Sequence, residues 1–242
     1  MSTAARVSPV LSVVMPVFNE EKLVAGVIER VLAQPAVAEL IIVDDASTDG
    51  TSDALQSFAR DARVRVFRQK HNCGKGAALI EGFARATCDF VVVQDADWEY
   101  DPADFDALLA PLLAGRADVV YGSRLLGNPD LVFGNRTANV VLTKLFNFFS
   151  GLRLTDMETC YKMFRREIVQ KLILTSPRFG IEVEIGAKLA KIKNLRLVEV
   201  PISYAPRKRD EGKKISWRDG VAALWHIVRF NWLTSRRRSL KS

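Results

Sequence analysis

Apolar positions fall in five short, largely β-branched runs, with longer stretches of helical spacing between them. Leu11 to Met15, Leu40 to Val43, Val64 to Phe67, Phe90 to Val93 and Asp118 to Tyr121 predict strands. The intervals near residues 20–33, 49–60, 75–86 and 102–114 predict helices. Repeated β-α-β order predicts an α/β fold, an open, mostly parallel, Rossmann-like sheet flanked by helices, with ligands gathering beyond the carboxyl ends of its strands. Polar and glycine-bearing segments fall at that edge: Asn19-Glu20 after the first run, Asp44-Asp45 after the second, Asn72 to Gly76 after the third and Asp95 to Asp97 after the fourth.

Two later stretches read as amphipathic helices. In Asn135 to Phe149, Arg136, Asn139, Thr143 and Asn147 make a polar stripe, and Val141, Leu145, Phe148 and Phe149 an apolar side that suits core packing. In Ser216 to Leu233, a Ser-x-x-Asp cap precedes an apolar face of Trp217, Val221, Leu224, Trp225, Val228 and Trp232, with Arg218, His226 and Arg229 opposite. Neither has the run of roughly 18 uninterrupted apolar residues that a membrane span needs. The second suits a lipid interface as well as it suits packing on the domain. The expected division is a flexible N-terminus over 1–9, one domain over 10–205, and a basic loop, interfacial helix and basic tail over 206–242.

Composition narrows the class. Of 242 residues, 48% are hydrophobic and 26% charged, which excludes a disordered chain. Residues 1–9 lack the build of a secretory signal, and Cys73, Cys88 and Cys160 are odd in number and irregularly spaced, so free thiols in the cytoplasm are expected. The net charge of +7 is local: Arg207, Lys208, Arg209, Lys213 and Lys214 form one cluster, and Arg236, Arg237, Arg238 and Lys241 another. Such clusters suit phosphates or an anionic membrane surface, or are simply solvated. A nucleic-acid partner is disfavoured because stacking platforms and a basic recognition helix are missing.

Candidate chemistry centres on Asp95 and Asp97. Residues two apart in an extended chain share a face, so both carboxylates can point one way and offer hard oxygen ligands to Mg²⁺ or Mn²⁺, metals held by few carboxylates together with substrate phosphates. Glu99 and Asp101 follow at once, and such crowding of like charge favours a cation. Asn72 to Gly76 carries two glycines that let backbone approach a ligand, and Lys75 between them is a phosphate candidate. The spacing is not that of a Walker loop, and a plain turn opening a helix fits equally. Asp49 reads as a cap for the helix that begins near Thr51.

Taken in order, Pro16-Val17-Phe18-Asn19-Glu20, Val43-Asp44-Asp45-Ala46-Ser47-Thr48-Asp49-Gly50, Asn72-Cys73-Gly74-Lys75-Gly76 and Gln94-Asp95-Ala96-Asp97 resemble the motifs of family 2 glycosyltransferases with the GT-A fold. The likeness covers roughly residues 10 to 220 and is nearest to the dolichyl- or polyprenyl-phosphate mannose synthase branch. The resemblance implies that Pro16, Val17, Asn19 and Glu20 line the nucleoside pocket, with Asp45 on base or ribose and Asp44 nearby. It implies that Asp95, Ala96 and Lys75 join the nucleotide-sugar site, and that Asp95, Asp97 and Glu99 form the metal shell. Glutamine is common in that branch where Glu99 stands here. Arg124 is similar to the arginine that meets the acceptor phosphate; a surface salt bridge is the competing role. Asp156 and Glu158 match the acceptor side, unless one pairs with an arginine to hold a turn. Arg207 and Lys208 belong to a basic loop that resembles the one closing over the pyrophosphate.

The expected activity is therefore transfer of a hexose, with inversion, from GDP-mannose, UDP-glucose or a similar donor to a polyprenyl phosphate at the cytoplasmic face of the membrane. A phosphate monoester, with a second pKa of about 6, attacks without a strong base. Glu-Asp and Gln-x-x-Arg-Trp motifs are absent, which lowers the alternative of a transferase acting on a sugar hydroxyl in polysaccharide assembly. A noncatalytic nucleotide-sugar-binding protein that recruits a membrane partner is the alternative of another class. Lacking a span of its own, such an enzyme calls for a separate membrane protein to use or flip its product.

Overall fold

The five expected runs are strands in the computed structural model of the chain, which describes residues 10–127, 136–206 and 217–241, without the side chains of Arg136 and of 217–221. They are β1 (Leu11–Val17), β2 (Val37–Asp44), β3 (Val64–Arg68), β4 (Phe90–Val93) and β5 (Val119–Ser123). Helices α1 (Val24–Leu32), α2 (Thr51–Gln56), α3 (Lys75–Arg85) and α4 (Phe105–Leu113) alternate with them. Every residue of β1 and β4 is buried, which is why these strands, apart from the buried Ser12, read as apolar runs rather than alternating ones.

Two further strands, β6 (Lys162–Arg165) and β7 (Leu197–Pro201), were not expected from the pattern. Among the described residues the sheet has seven strands in the order β3-β2-β1-β4-β6-β5-β7. Strand β6 runs antiparallel to both β4 and β5, and all other pairs are parallel. Strand β6 lies between β4 and β5 and brings the segment before it, 155–161, to the carboxyl ends of both. A one-turn helix α5 (Arg124–Gly127) follows β5, and α6 (Arg136–Ser150), α7 (Arg166–Lys171), α8 (Gly180–Leu189) and α9 (Trp217–Val228) complete the chain with a π turn over Arg229–Leu233.

Helix α6 packs on the core as expected, through buried Phe146 with Leu142, Leu145 and Phe149 half-buried against it, but the expected polar and apolar sides do not divide as the pattern implies. Its polar stripe faces inward: Asn139 and Thr143 are buried, whereas Val141 and Phe148 are 57% and 81% exposed. The inversion follows from what the stripe meets. Asn139 donates to Asp156, Thr143 accepts from the Met157 N–H, and Asn147 brackets Leu154 through both N–H and C=O. Helix α9 packs on the domain through residues other than the expected apolar face, which stays largely exposed where it is described. Ala223 and Ile227 of α9 and Phe230 of the π turn after it, at spacings of four and three, form a buried face against α8 and α6, and Leu224, Trp225 and, in the turn, Trp232 face outward. Phe149 and Trp232 meet edge to face at 6.2 Å, so the two helices share one outer apolar surface. Among the described residues no helix is long and apolar enough to cross a membrane.

Candidate active site

At the carboxyl edge, the loops after β1 and β2 are bonded to each other. Asn19, at φ 52°, exchanges hydrogen bonds with Thr48 and its N–H meets the Ser47 hydroxyl at 3.0 Å; the Glu20 N–H donates to Thr51. Asp45 donates its N–H to the Val17 carbonyl, beside Pro16 in β1. Asp44 is buried and accepts from the Ser47 N–H at 2.9 Å and the Ser52 hydroxyl at 2.8 Å, with Arg68 alongside at 3.6 Å. Asp45 is buried too, and its two oxygens accept from the N–H groups of Cys73 and Gly74 at 2.6 and 2.7 Å. Asp49 accepts from the Thr51 N–H and hydroxyl at the start of α2.

The glycine loop is shaped for the protein's own backbone. Gly74 has φ +98°, a conformation L side chains rarely adopt, and a Cβ on Gly76 would lie 2.1 Å from the carbonyl oxygen of Ser176. The close approach expected of a ligand is thus made by residues 176–178, and the Ala77 N–H donates to the Pro177 carbonyl at 3.0 Å. That segment is held in turn by the wholly buried Glu184, which accepts from the N–H groups of Thr175 and Ser176 and pairs with Lys188.

Beyond β4 the partners change character. Gln94 is buried and receives the Tyr161 hydroxyl at 2.7 Å, which fixes the strand end. Asp95 pairs with the Lys75 ammonium at 2.8 Å, and Lys75 also reaches Glu182 of α8 at 3.1 Å. Burial pushes the Asp95 carboxyl up, but Lys75 and the Cys160 thiol hold it below its ordinary value. Burial likewise opposes the charge on Lys75, yet Asp95, first among its neighbours, raises the ammonium well above its usual range. Ala96 is buried, and Asp97, half-buried, accepts from the Glu99 N–H at 3.0 Å. Glu99 takes the Tyr204 hydroxyl at 3.0 Å.

Opposite these acids stands a buried ion pair. Arg124 opens α5 directly after β5, and its guanidinium grips Asp156 with two bonds of 2.6 and 2.7 Å. Arg124 is 8% exposed and Asp156 wholly buried, so the surface salt-bridge reading gives way to a desolvated, bidentate pair. Burial raises the Asp156 carboxyl, and Arg124 and Asn139 outweigh it and bring it below the usual carboxylate range. The guanidinium lies over the Tyr204 ring at 5.0 Å, so Tyr204 connects this pair to Glu99. Glu158 is half-buried nearby; burial first, then the Glu182 charge, lifts its carboxyl to about 7 against the pull of Lys162 and Arg124.

Asp95, Lys75, Asp97, Glu99, Arg124 and Asp156 therefore belong to one connected neighbourhood, and Asp44 and Asp45 belong to the loop frame beside it. Arg207 and Lys208 lie outside the described residues. Among those described, no three His, Cys, Asp or Glu side chains are gathered as a ready metal cage. Sequence reasoning missed Glu182, Lys162 and Tyr204. The available signal was weak: a lysine inside an apolar strand and acids on an otherwise apolar helix.

A parallel sheet with acids at its carboxyl rim is an architecture for binding a nucleotide-linked substrate. The chain belongs to Glycosyl transferase family 2, whose profile matches residues 12–173, and it has the GT-A fold. It is 31% identical over 239 residues to the low-salt glycan biosynthesis hexosyltransferase Agl6 of Haloferax volcanii, a match covering 95% of this chain and 55% of that protein. With the glycosyltransferase AglJ of the same organism it shares 32% identity over 198 residues, 81% of this chain and 63% of the other. The chain thus spans between half and two thirds of the length of these two relatives. The undecaprenyl-phosphate mannosyltransferase of Micrococcus luteus is 28% identical over 236 residues, covering 89% of this chain and 96% of that one. Among solved structures, glucosyl-3-phosphoglycerate synthase from Mycobacterium tuberculosis, in complex with Mn²⁺, UDP and phosphoglyceric acid, superposes with a TM-score of 0.69 at 23% identity, covering 93% of this chain and 79% of that one.

Proposed function

We propose that this chain moves a hexosyl unit, with inversion, from a nucleotide sugar to the phosphate of a polyprenol at the cytoplasmic face of a membrane. The observation that carries the reading is the connected set Glu99, Tyr204, Arg124 and Asp156, which ties the acidic rim of β4 to a permanently charged, desolvated guanidinium. A rigid planar fork beside an acidic rim suits an acceptor phosphate that must be held near a second, diphosphate-bearing substrate.

Two hard carboxylates, Asp95 and Asp97, fit a divalent ion whose remaining ligands come from substrate oxygens and water, so a full protein cage is not required. When bound, Mg²⁺ or Mn²⁺ would neutralise charge on the leaving diphosphate. Arg124, oriented by Asp156, would bind and aim the acceptor. The acceptor oxygen forms the new bond to the anomeric carbon, the bond from that carbon to the diphosphate oxygen breaks, and its electron pair leaves with the nucleoside diphosphate. A monoester with a second pKa of about 6 is largely ionised near neutrality and needs no strong base. Arg207 and Lys208 are proposed to screen the leaving group.

Membrane attachment is supported by the outer face of α6 and α9. Phe148, Trp225 and Trp232 are 81%, 57% and 75% exposed, and Arg236, Arg237 and Arg238 follow on an exposed turn. Aromatic and apolar side chains with adjacent arginines suit anionic lipid headgroups.

Glu158 favours a second reading, in which the acceptor is a sugar hydroxyl, because a carboxyl that titrates at about 7 suits a general base. Transfer assays with GDP-mannose and UDP-glucose, with and without Mn²⁺, separate the two when run on a short polyprenyl phosphate and on free sugars. Metal-dependent product on the polyprenyl phosphate is expected. Product on the sugar hydroxyl alone would overturn the proposal.

A further inference from the structure

Four charged side chains alternate in sign from the core to the rim: Lys162, Glu182, Lys75 and Asp95. The inner end is fixed. Lys162 is wholly buried and donates to both Glu182 and the Thr159 carbonyl, and the Glu182 side chain is only 7% exposed. The outer end opens to solvent, with side-chain exposures of 17% for Lys75 and 20% for Asp95. Lys75 opens α3 directly after Gly74, and its ammonium stands between two carboxylates at 2.8 Å and 3.1 Å. It therefore has two anionic positions within reach of one flexible stem.

From this geometry we infer that Lys75 masks Asp95 until the donor's diphosphate draws it away, and that Glu182 is the positioning residue that shares its charge meanwhile. The inference rests on the metal and donor reading above. A divalent ion at Asp95 would face an ammonium already on the same carboxylate, and like charges at such separation repel strongly in a partly desolvated site. Metal alone therefore binds weakly. A diphosphate offers Lys75 another anion, frees Asp95 and tightens the metal; by linkage the metal tightens the nucleotide equally. The device keeps Asp95 compensated in the empty enzyme and couples metal binding to arrival of the donor.

The test is Mn²⁺ binding, read from the paramagnetic resonance of free Mn²⁺, first alone and then with saturating UDP and, separately, GDP. For Lys75→Gln, affinity for Mn²⁺ alone should rise about tenfold, and the factor by which nucleotide tightens Mn²⁺ should fall by a similar amount. For Glu182→Gln, which leaves Asp95 as the sole anion for Lys75, affinity for Mn²⁺ alone should fall several-fold. The opposite signs distinguish this role from general damage to the fold, and thermal melts of both variants accompany the titrations. Unchanged or weaker Mn²⁺ binding in a folded Lys75→Gln overturns this inference alone. If Lys75→Gln does not fold, the sign for Glu182→Gln decides, and tighter Mn²⁺ binding there overturns it. Failure of the wild type and Lys75→Gln to bind Mn²⁺, with or without either nucleotide, overturns the metal reading as well.

Discussion

Two groups of carboxylates occupy the same edge of the same sheet, and their partners separate them. Asp45 and Asp49, in the loop after β2, and Asp44, at the strand's end, accept from backbone N–H groups, with the Thr51 hydroxyl added at Asp49 and the Ser52 hydroxyl and Arg68 at Asp44. Asp95 and Glu99, after β4, meet the tips of side chains instead, an ammonium and a phenol, and Asp97 between them takes the Glu99 N–H within its own turn. Backbone donors are fixed by the fold, so a carboxylate that takes two of them, as Asp45 and Asp49 do, acts as a loop fastener. A lysine or tyrosine can swing aside at little cost, so its carboxylate can take another ligand. The teaching is that an acid at a strand end is read by its partner as much as by its position.

Asp97→Ala strains the comparison most. It should lower kcat/KM about a thousandfold or more, through lost charge stabilisation, with a melting temperature unchanged to within about 3 °C. Retained turnover would move the acids after β4 into the fastening group. Asp156→Ala leaves the Arg124 guanidinium buried without its counter-charge and should destabilise the protein by about 3–5 kcal/mol in urea denaturation, with Asp156→Asn less affected. Asp45→Ala orphans two loop N–H groups and should cost about 2–3 kcal/mol of stability. An unchanged stability together with a raised donor KM would instead place Asp45 on the ribose.

The smallest effect concerns Glu158. Its folded-state pKa of about 7 lies above the unfolded value of 4.5, so the folded protein binds the proton more tightly and stability falls as pH rises between the two. Glu158→Gln should match the wild type below about pH 4, gain on it through the interval, and lead by ~1–2 kcal/mol above about pH 8. Urea denaturation across pH reads this directly. A constant offset between the two proteins would show that Glu158 titrates normally.

The parallel half of the fold was legible because its strands are short, largely apolar and β-branched runs with turn residues between them. The other half was not. β6 places Lys162 at a fully buried position, so a four-residue strand loses its apolar signal. α8 is buried on all sides while carrying Glu182, Glu184 and Lys188, and internal pairing of charges erases the amphipathic period that reveals a helix. In α6 the polar stripe was visible, but which side faces inward depends on Asp156 and Leu154, partners distant in sequence from Asn139 and close to Asn147 only after the turn. For the site, the rim acids and Arg124 stood out as residue types at strand ends. What sequence could not supply was the partner of each, which decides whether it fastens a loop or awaits a ligand.

Anomalous diffraction from crystals grown with Mn²⁺ and a donor nucleotide tests the central claim most directly. The expected result is manganese at ligand distance from Asp97 and Asp95, with diphosphate oxygens completing its shell and Lys75 turned from Asp95 toward them. Manganese and nucleotide bound away from the carboxyl end of β4, with the Lys75 and Asp95 pair intact, would contradict the account.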